Sequence, residues 1–284
     1  MTTIADYGKY ETAWCPGCGN FGILNALKQA LVACELAPHQ VLMVAGIGQA
    51  AKAPHYLRAN VFNGLHGRSL PAAIGARLAN PELTVIAESG DGCLYGEGGN
   101  HHFLAALRRN LDLTILAHDN RVYGLTKGQA SPTSQQGMVT KTQPHGAFAS
   151  PFNPVAVAVT MGASFVARGY AGKLEQLSGL IAAAIKHKGT ALVDIMQPCV
   201  SFNKLNTYQW YQEHCHELPE EHDPTDREQA LKVALEFGER IPLGIIYQTE
   251  RPLFEEQFAT LSKGPLARQE VPRQELQQLM QRYA

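Results

Sequence analysis

The stretch ESGDGCLYGEGGN, Glu88 to Asn100, sets a carboxylate, Asp91, between two glycines directly after the apolar run Leu83–Ala87. Gly90 and Gly92 can take backbone conformations that other residues resist, and they leave room for something bulky to come close. That run is β-branched enough to form a buried strand, and open α/β sheets bind ligands at the carboxyl ends of their strands. Taken alone, a glycine turn with a solvated aspartate accounts for the pattern equally well. A second strand end changes the balance, because the next apolar run, LDLTILAHDN, closes on Asp119 and Asn120. A right-handed crossover brings the carboxyl ends of two parallel strands to the same edge of a sheet. Asp91 and Asn120, 29 residues apart, can therefore converge on one ion. Two protein oxygens completed by phosphate oxygens are a usual way to hold Mg²⁺, which gives up its water reluctantly. On this reading Asp91 ligates a metal that clamps a diphosphate.

Cysteines are the second source of chemistry. Six of them in 284 residues do not read as a disulfide framework. Cys34 falls within the helical pattern of NALKQALVACEL and belongs to the core. Cys215 stands between His214 and His216, but no second clustered ligand pair lies near it in sequence, so a surface helix position is expected. CPGC, with Cys15 and Cys18, is a turn that supplies two thiolates at compatible geometry, open to a zinc site, a redox pair or an iron–sulfur cluster.

The elements that must position these groups alternate. Helical patterns run from about Phe21 to Glu35 and over LPAAIGARLAN, NHHFLAALRRN and KLEQLSGLIAAAIKHK, with Pro71 near the first turn of the second. Strands are expected at QVLMVAGIG, LTVIA, LDLTILAHDN, MGASFVARGY and TALVDIMQP. This order predicts an α/β fold, a mostly parallel sheet with helices on both faces. Between Leu125 and Pro154 the chain is polar, rich in Gly, Pro, Ser and Thr and without periodicity; so long a loop inside a compact domain is usually functional or disordered. After Cys199 the β/α rhythm stops. The division expected is a domain over 1–200 and a C-terminal extension over 201–284 that wraps the core or a partner.

Composition narrows the partners. Lys+Arg is 24 against Asp+Glu 25, so bulk charge draws neither nucleic acid nor membrane. The start, MTTIADYGKYETAW, lacks the pattern of a signal peptide, and no apolar run is long enough to span a bilayer. A soluble, cytoplasmic protein is expected.

GDG followed about thirty residues later by Asn is the thiamine-diphosphate motif shared by transketolases and decarboxylases. Here it stands in a longer series: CPGCG, GIG, HGR, GDG, HHFLAALRRN, NRVYGLTKGQASPT and PFNP. In that order the chain resembles the β subunit of 2-oxoacid:ferredoxin oxidoreductases, the 2-oxoglutarate type most of all. The likeness runs from Trp14 to about Asn203, and DPTDREQALKVALEFGERIPLGIIYQTERP is similar to the C-terminal part of that subunit.

The resemblance implies the thiamine-diphosphate-binding fold. It also implies oxidation of a 2-oxoacid with coenzyme A to acyl-CoA and CO₂, with reduction of ferredoxin, or the reverse carboxylation. It implies Mg²⁺ held by Asp91, Asn120 and the carbonyl of Val122. Gly46, Ile47, Gly48, His66, Gly67, Arg68, Gly90, Gly92, Gly124 and Leu125 would complete the cofactor pocket. Cys15, Cys18 and Cys199 match three cysteines of a [4Fe–4S] cluster. The chain departs from the family's GIGC by reading GIGQ, with Gln49 where the fourth cysteine is expected. Since an amide is a poor ligand for a soft cluster, either another group supplies the fourth bond or the cluster is three-coordinate and labile. Cys93, directly after the GDG turn, and His55, six residues past Gln49, are the candidates.

Lys52 and Leu125 match positions that line the substrate's side chain. An ammonium at Lys52 favours a distal carboxylate, so 2-oxoglutarate is preferred over pyruvate. A lysine on a solvated loop is the plainer alternative. One part is missing: the glutamate that activates thiamine comes from a pyrimidine-binding domain, which an α subunit should supply in an (αβ)₂ assembly. Two further classes fit parts of the pattern. A non-oxidative thiamine decarboxylase is disfavoured by CPGCG with Cys199, and a zinc-bound assembly subunit by the intact Asp91/Asn120 pair.

Overall fold

A computed structural model describes residues 1–270 and 273–283. Eight strands form one sheet in the order β2-β1-β3-β4-β6-β5-β8-β7. They are β1 (Val41–Ala45), β2 (Asn60–Asn63), β3 (Thr84–Gly90), β4 (Leu113–Asp119), β5 (Phe165–Tyr170), β6 (Thr190–Met196), β7 (Cys215–Glu217) and β8 (Ile241–Gln248). Strands β1 to β6 pair in parallel, and β8 lies antiparallel to β5. Every residue of β4, β5 and β6 is buried, which is why these segments read as continuous apolar runs without alternation.

The helices are α1 (Asn20–Ala33), α2 (Ser69–Ala79), α3 (Asp91–Tyr95), α4 (Gly99–Arg109), α5 (Pro154–Thr160), α6 (Leu174–Lys186), α7 (Tyr208–His214), α8 (Arg227–Ala234) and α9 (Arg273–Arg282). Two large apolar cores form among the described residues, with a smaller third around Tyr170, Met196, Tyr211, Ile241 and Leu243. One packs α2, α4, α5 and α8 with Val85, Ala87, Ile115 and Val166; the other packs α1 and α6 with Met43, Ile86, Leu116 and Val193. Neighbouring residues of β3, Val85 and Ile86, thus enter opposite cores, as a strand's period of two requires.

Several features of the fold depart from what the sequence suggests. Strand β2 is an edge strand whose four residues are all exposed, so burial leaves no trace in its sequence. The rhythm expected to stop after Cys199 continues in the structure: α7, β7, α8 and β8 follow β6 in alternation, and residues 201–284 contribute β7 and β8 to the sheet. Cys215 opens β7, half-buried, and does not sit on a surface helix as expected; α7 ends one residue before it. Phe237 from the same region lies against two buried guanidinium groups, 4.7 Å from Arg121 and 5.4 Å from Arg168. No helix among the described residues is long and apolar enough to cross a membrane.

Candidate functional site

Four neighbouring strands, β1, β3, β4 and β6, end at one edge, and each end delivers part of the site. The register sets Ala45 beside Glu88, Gly90 beside His118, and Asp119 beside Met196. Gly46–Gln49 leave β1, Asp91 begins α3 directly after β3, Asn120 follows β4, and Cys199 follows β6. The CPGC loop joins them through Gly19 N, which donates to Pro198 O at 3.3 Å.

A cleft at this edge is lined by Ile47, Gly48, Gln49, Ala50, His66 and Glu97, and by two stretches, Gly90–Cys93 and Asn120 with Val122–Thr126. Of the residues expected here, Ile47, Gly48, His66, Gly90, Asp91, Gly92, Asn120, Val122, Gly124 and Leu125 converge. Gly46, Gly67, Arg68 and Lys52 do not reach the wall of the cleft. Gly46 and Gly67 support it from behind: a Cβ at Gly46 would stand 2.4 Å from Cys93 Sγ, and Gly67 N donates to that sulfur at 3.2 Å. Arg68 is exposed and donates to Gly67 O, while His66 pairs with Glu97 at 2.7 Å. Lys52 lies half-buried on the turn Ala50–Tyr56 and enters no ion pair among the described residues.

Asp91 is 2% exposed. Its Oδ2 accepts from the hydroxyls of Ser131 and Thr133, the latter at 2.7 Å. Thr133 Oγ1 also stands 2.6 Å from Asp119 Oδ1, and Ser134 Oγ donates to Arg121 O at 2.6 Å. The polar loop after β4 is therefore ordered by the carboxylates it covers. Burial first, and then the neighbouring Asp119, push the Asp91 carboxyl up to about 7. Burial also raises Asp119, opposed by Arg121, and its Oδ2 is buried with no partner. Such a pocket holds a proton or a cation.

Local chemistry fixes the chain after β4. Asp119 Oδ1 accepts from Arg121 N at 3.2 Å and Asn120 Oδ1 from Val122 N at 3.0 Å, two successive turns of the kind Asp and Asn favour. Asn203 Nδ2 donates to Asn120 O at 3.1 Å, so the C-terminal region holds this loop from outside. Tyr123 packs on Gly92; a Cβ there would lie 2.2 Å from the ring. Gly48 is needed for its backbone, φ +118, since nothing lies within 4 Å of its missing Cβ.

A second cavity adjoins the cleft. Trp14, Cys15, Cys18, Cys199, Gln197, Ser201 and Phe202 line it, and Gln49, Asn120 and Gly124 belong to both walls. Burial pushes the Cys18 thiol up, and the nearby Cys199 and Cys15 sulfurs push the same way. Ser201 Oγ donates to Cys15 Sγ at 3.0 Å and Gln197 Nε2 to Cys18 Sγ at 3.6 Å. As they stand, no three His, Cys, Asp or Glu side chains among the described residues are grouped tightly enough to hold an ion.

Sequence reasoning missed Ser131, Thr133, Glu97, Tyr123, Asn203 and Ser201. The "YGLTKGQASPT" block carried part of that signal, because a hydroxyl-rich loop following a carboxyl-end aspartate offers donors for buried carboxylates.

Residues 39–195 match the family described as thiamine pyrophosphate enzyme, C-terminal TPP binding domain. Residues 199–263 match the family of the C-terminal part of the pyruvate ferredoxin oxidoreductase beta subunit. A 2-oxoacid:ferredoxin oxidoreductase subunit beta from Sulfolobus is 46% identical over 268 residues, spanning 89% of this chain and 87% of the relative. The chain belongs to the β subunits of 2-oxoacid:ferredoxin oxidoreductases. In this chain one edge of the sheet thus carries both the cleft and the cysteine cavity. The 2-oxoglutarate oxidoreductase subunit KorB of Mycobacterium tuberculosis is 44% identical over 193 residues, covering 68% of this chain and 52% of that protein. Among solved structures, a 2-oxoglutarate:ferredoxin oxidoreductase from Magnetococcus marinus with 2-oxoglutarate, coenzyme A and succinyl-CoA bound superposes with a TM-score of 0.89 at 35% identity, covering 92% of this chain and 90% of that one.

Proposed function

We propose that this β subunit, joined to an α subunit, oxidises 2-oxoglutarate with coenzyme A to succinyl-CoA and CO₂ and passes the electrons to ferredoxin, or runs the reverse, reductive carboxylation. The observation that carries this reading is the shared wall. Gln49, Asn120 and Gly124 border both the cleft of Asp91 and the cavity of Cys15, Cys18 and Cys199. Electrons released in the cleft would have that shared wall to cross.

The buried, unpartnered Asp119 Oδ2 beside Asp91, and the three cysteines that line one cavity, are what this chain offers the groups the family implies. Asp91, Asn120 and the Val122 carbonyl would hold Mg²⁺, whose charge would relieve the crowding of Asp91 with Asp119 and would attract a diphosphate. Thiamine diphosphate, when bound, supplies the electron sink for decarboxylation. A [4Fe–4S] cluster on the three cysteines, when bound, takes up electrons singly.

The chain's own work is to orient and exclude. Tyr123 closes over Gly92, and Ser131 and Thr133 hold the Asp91 carboxylate in one rotamer. Leu125, on the cleft wall, is offered to the substrate's side chain, and the ammonium of Lys52, on the turn that follows Gln49 and outside that wall, would have to swing in to meet a distal carboxylate. The 2-oxoglutarate preference draws support from the KorB relative and the Magnetococcus enzyme. The Sulfolobus relative carries the broader 2-oxoacid name and favours, as a second reading, a range that includes pyruvate. A cytoplasmic (αβ)₂ assembly is the form in which this activity is expected. The test is anaerobic assay of the α–β complex for coenzyme-A-dependent ferredoxin reduction with each 2-oxoacid; no reduction with 2-oxoglutarate refutes the reading.

A further inference from the structure

We propose that Gln49 makes the cysteine cavity a three-thiolate site, so that a four-iron cluster held there has one iron that no thiolate of this chain binds and that an oxidant removes reversibly. The inference rests on the reading of Cys15, Cys18 and Cys199 as cluster ligands.

Every other thiol is committed elsewhere. Cys93 lines the cofactor cleft and not the cysteine cavity, and its sulfur accepts from Gly67 N at 3.2 Å. Cys34 closes α1 and faces Ala182 O at 3.7 Å. Cys215 lies in β7, with its thiol pushed by burial up to about 12. His55 is exposed at the far end of the turn from Gln49 and does not line the cavity. Gln49 does line it, its Oε1 buried and without a hydrogen-bond partner. Trp14 Nε1 donates to the Gln49 carbonyl at 2.9 Å, which fixes that backbone against the CPGC loop. An amide oxygen is a hard, neutral donor, and iron–sulfur clusters are held by thiolates.

Oxidation of such a cluster balances as [4Fe–4S]²⁺ giving [3Fe–4S]⁺, Fe²⁺ and one electron. A one-electron oxidant such as ferricyanide takes that electron, and the released iron passes into solution. Ferrous iron with a reductant reverses the change. Gln49 belongs, with Asn120 and Gly124, to the wall shared with the cofactor cleft. The site is thus an oxidant-sensitive switch placed between the two cofactors.

The test uses the anaerobically purified α–β complex with wild-type chain, Gln49→Cys and Gln49→Ala. Each is treated with about one equivalent of ferricyanide, then examined by low-temperature paramagnetic resonance and by iron and sulfide analysis. The wild-type and Gln49→Ala complexes are expected to lose about one iron per cluster and gain a three-iron signal. Ferrous iron and dithionite should erase it, and Gln49→Cys should keep its iron and stay silent. Equal behaviour of wild type and Gln49→Cys overturns the proposal while leaving the cluster in place. A cluster whose spectrum is unaltered by Cys199→Ser, or a complex in which this chain holds no iron, instead removes the three-cysteine reading and this proposal with it.

Discussion

Asp91 and Asp119 share a single hydroxyl, that of Thr133, which stands 2.7 Å from Asp91 Oδ2 and 2.6 Å from Asp119 Oδ1. One hydroxyl carries one proton, so it cannot donate to both carboxylates at once. With both ionised, one oxygen would face the lone pairs of Thr133 across a buried contact, which is costly. A proton on one carboxyl relieves this, and so does a cation.

The first prediction follows from that competition. The Asp91 carboxyl is raised from an ordinary 3.8 to about 7, so the folded chain retains a proton that the unfolded chain gives up. The stability from this group is complete below the unfolded value and is lost as pH rises through the folded one. The melting temperature of the metal-free, cofactor-free protein should therefore fall by several degrees between about pH 5.5 and about pH 8. Mg²⁺ with thiamine diphosphate should flatten that slope. Calorimetry showing the same slope with and without the ligands would contradict the assignment of the metal to Asp91.

Asp91→Ala should abolish retention of thiamine diphosphate, because the anionic ligand leaves a site with few protein ligands. Asn120→Ala should weaken it less, since a neutral oxygen is lost. Cofactor content of the purified complexes decides, and an unchanged content in Asp91→Ala would refute the site.

Gly92→Ala should leave a folded protein with a damaged cleft. Its Cβ would lie 2.2 Å from the ring of Tyr123, a residue of the cleft wall, so that wall must shift. Cofactor affinity is expected to fall at least tenfold, or ~1.4 kcal/mol, and Tyr123→Ala in the same chain should recover part of the loss. Titration by isothermal calorimetry measures both.

Lys52→Ala should lower the preference for 2-oxoglutarate over pyruvate. A partly desolvated, charge-assisted contact is worth ~1.5–3 kcal/mol, or roughly tenfold or more in the ratio of kcat/KM values. Equal loss with both substrates would mean that Lys52 serves the fold or the cofactor instead.

The chain by itself should not turn over. It offers the diphosphate-binding half and shows one sheet, with no second domain among the described residues to bring a glutamate to the pyrimidine. Coenzyme-A-dependent dye reduction should stay at background for this polypeptide alone and appear when the α subunit is added. Activity from the chain confirmed free of other polypeptides would count against the division of labour.

The sequence by itself determined the parallel core and the catalytic edge. Buried strands such as Leu113–Asp119 are apolar throughout most of their length, and the residues that leave the strand ends, Asp91 and Asn120, differ in chemistry from the runs before them. A local pattern encodes a local element, and parallel pairing then fixes which ends meet. Only the tertiary structure decided what comes from afar. Thr133 reaches Asp91 over 42 residues and Asn203 reaches Asn120 over 83, contacts that no periodicity records. Strand β2 carries no burial signal at all, and β8 joins the sheet antiparallel from a region whose sequence had lost the alternation. Gln49 was visible as a departure in the sequence. That it stands on the wall between two cavities, with Cys93 turned to one and Cys15, Cys18 and Cys199 to the other, depends on where four strand ends converge in space.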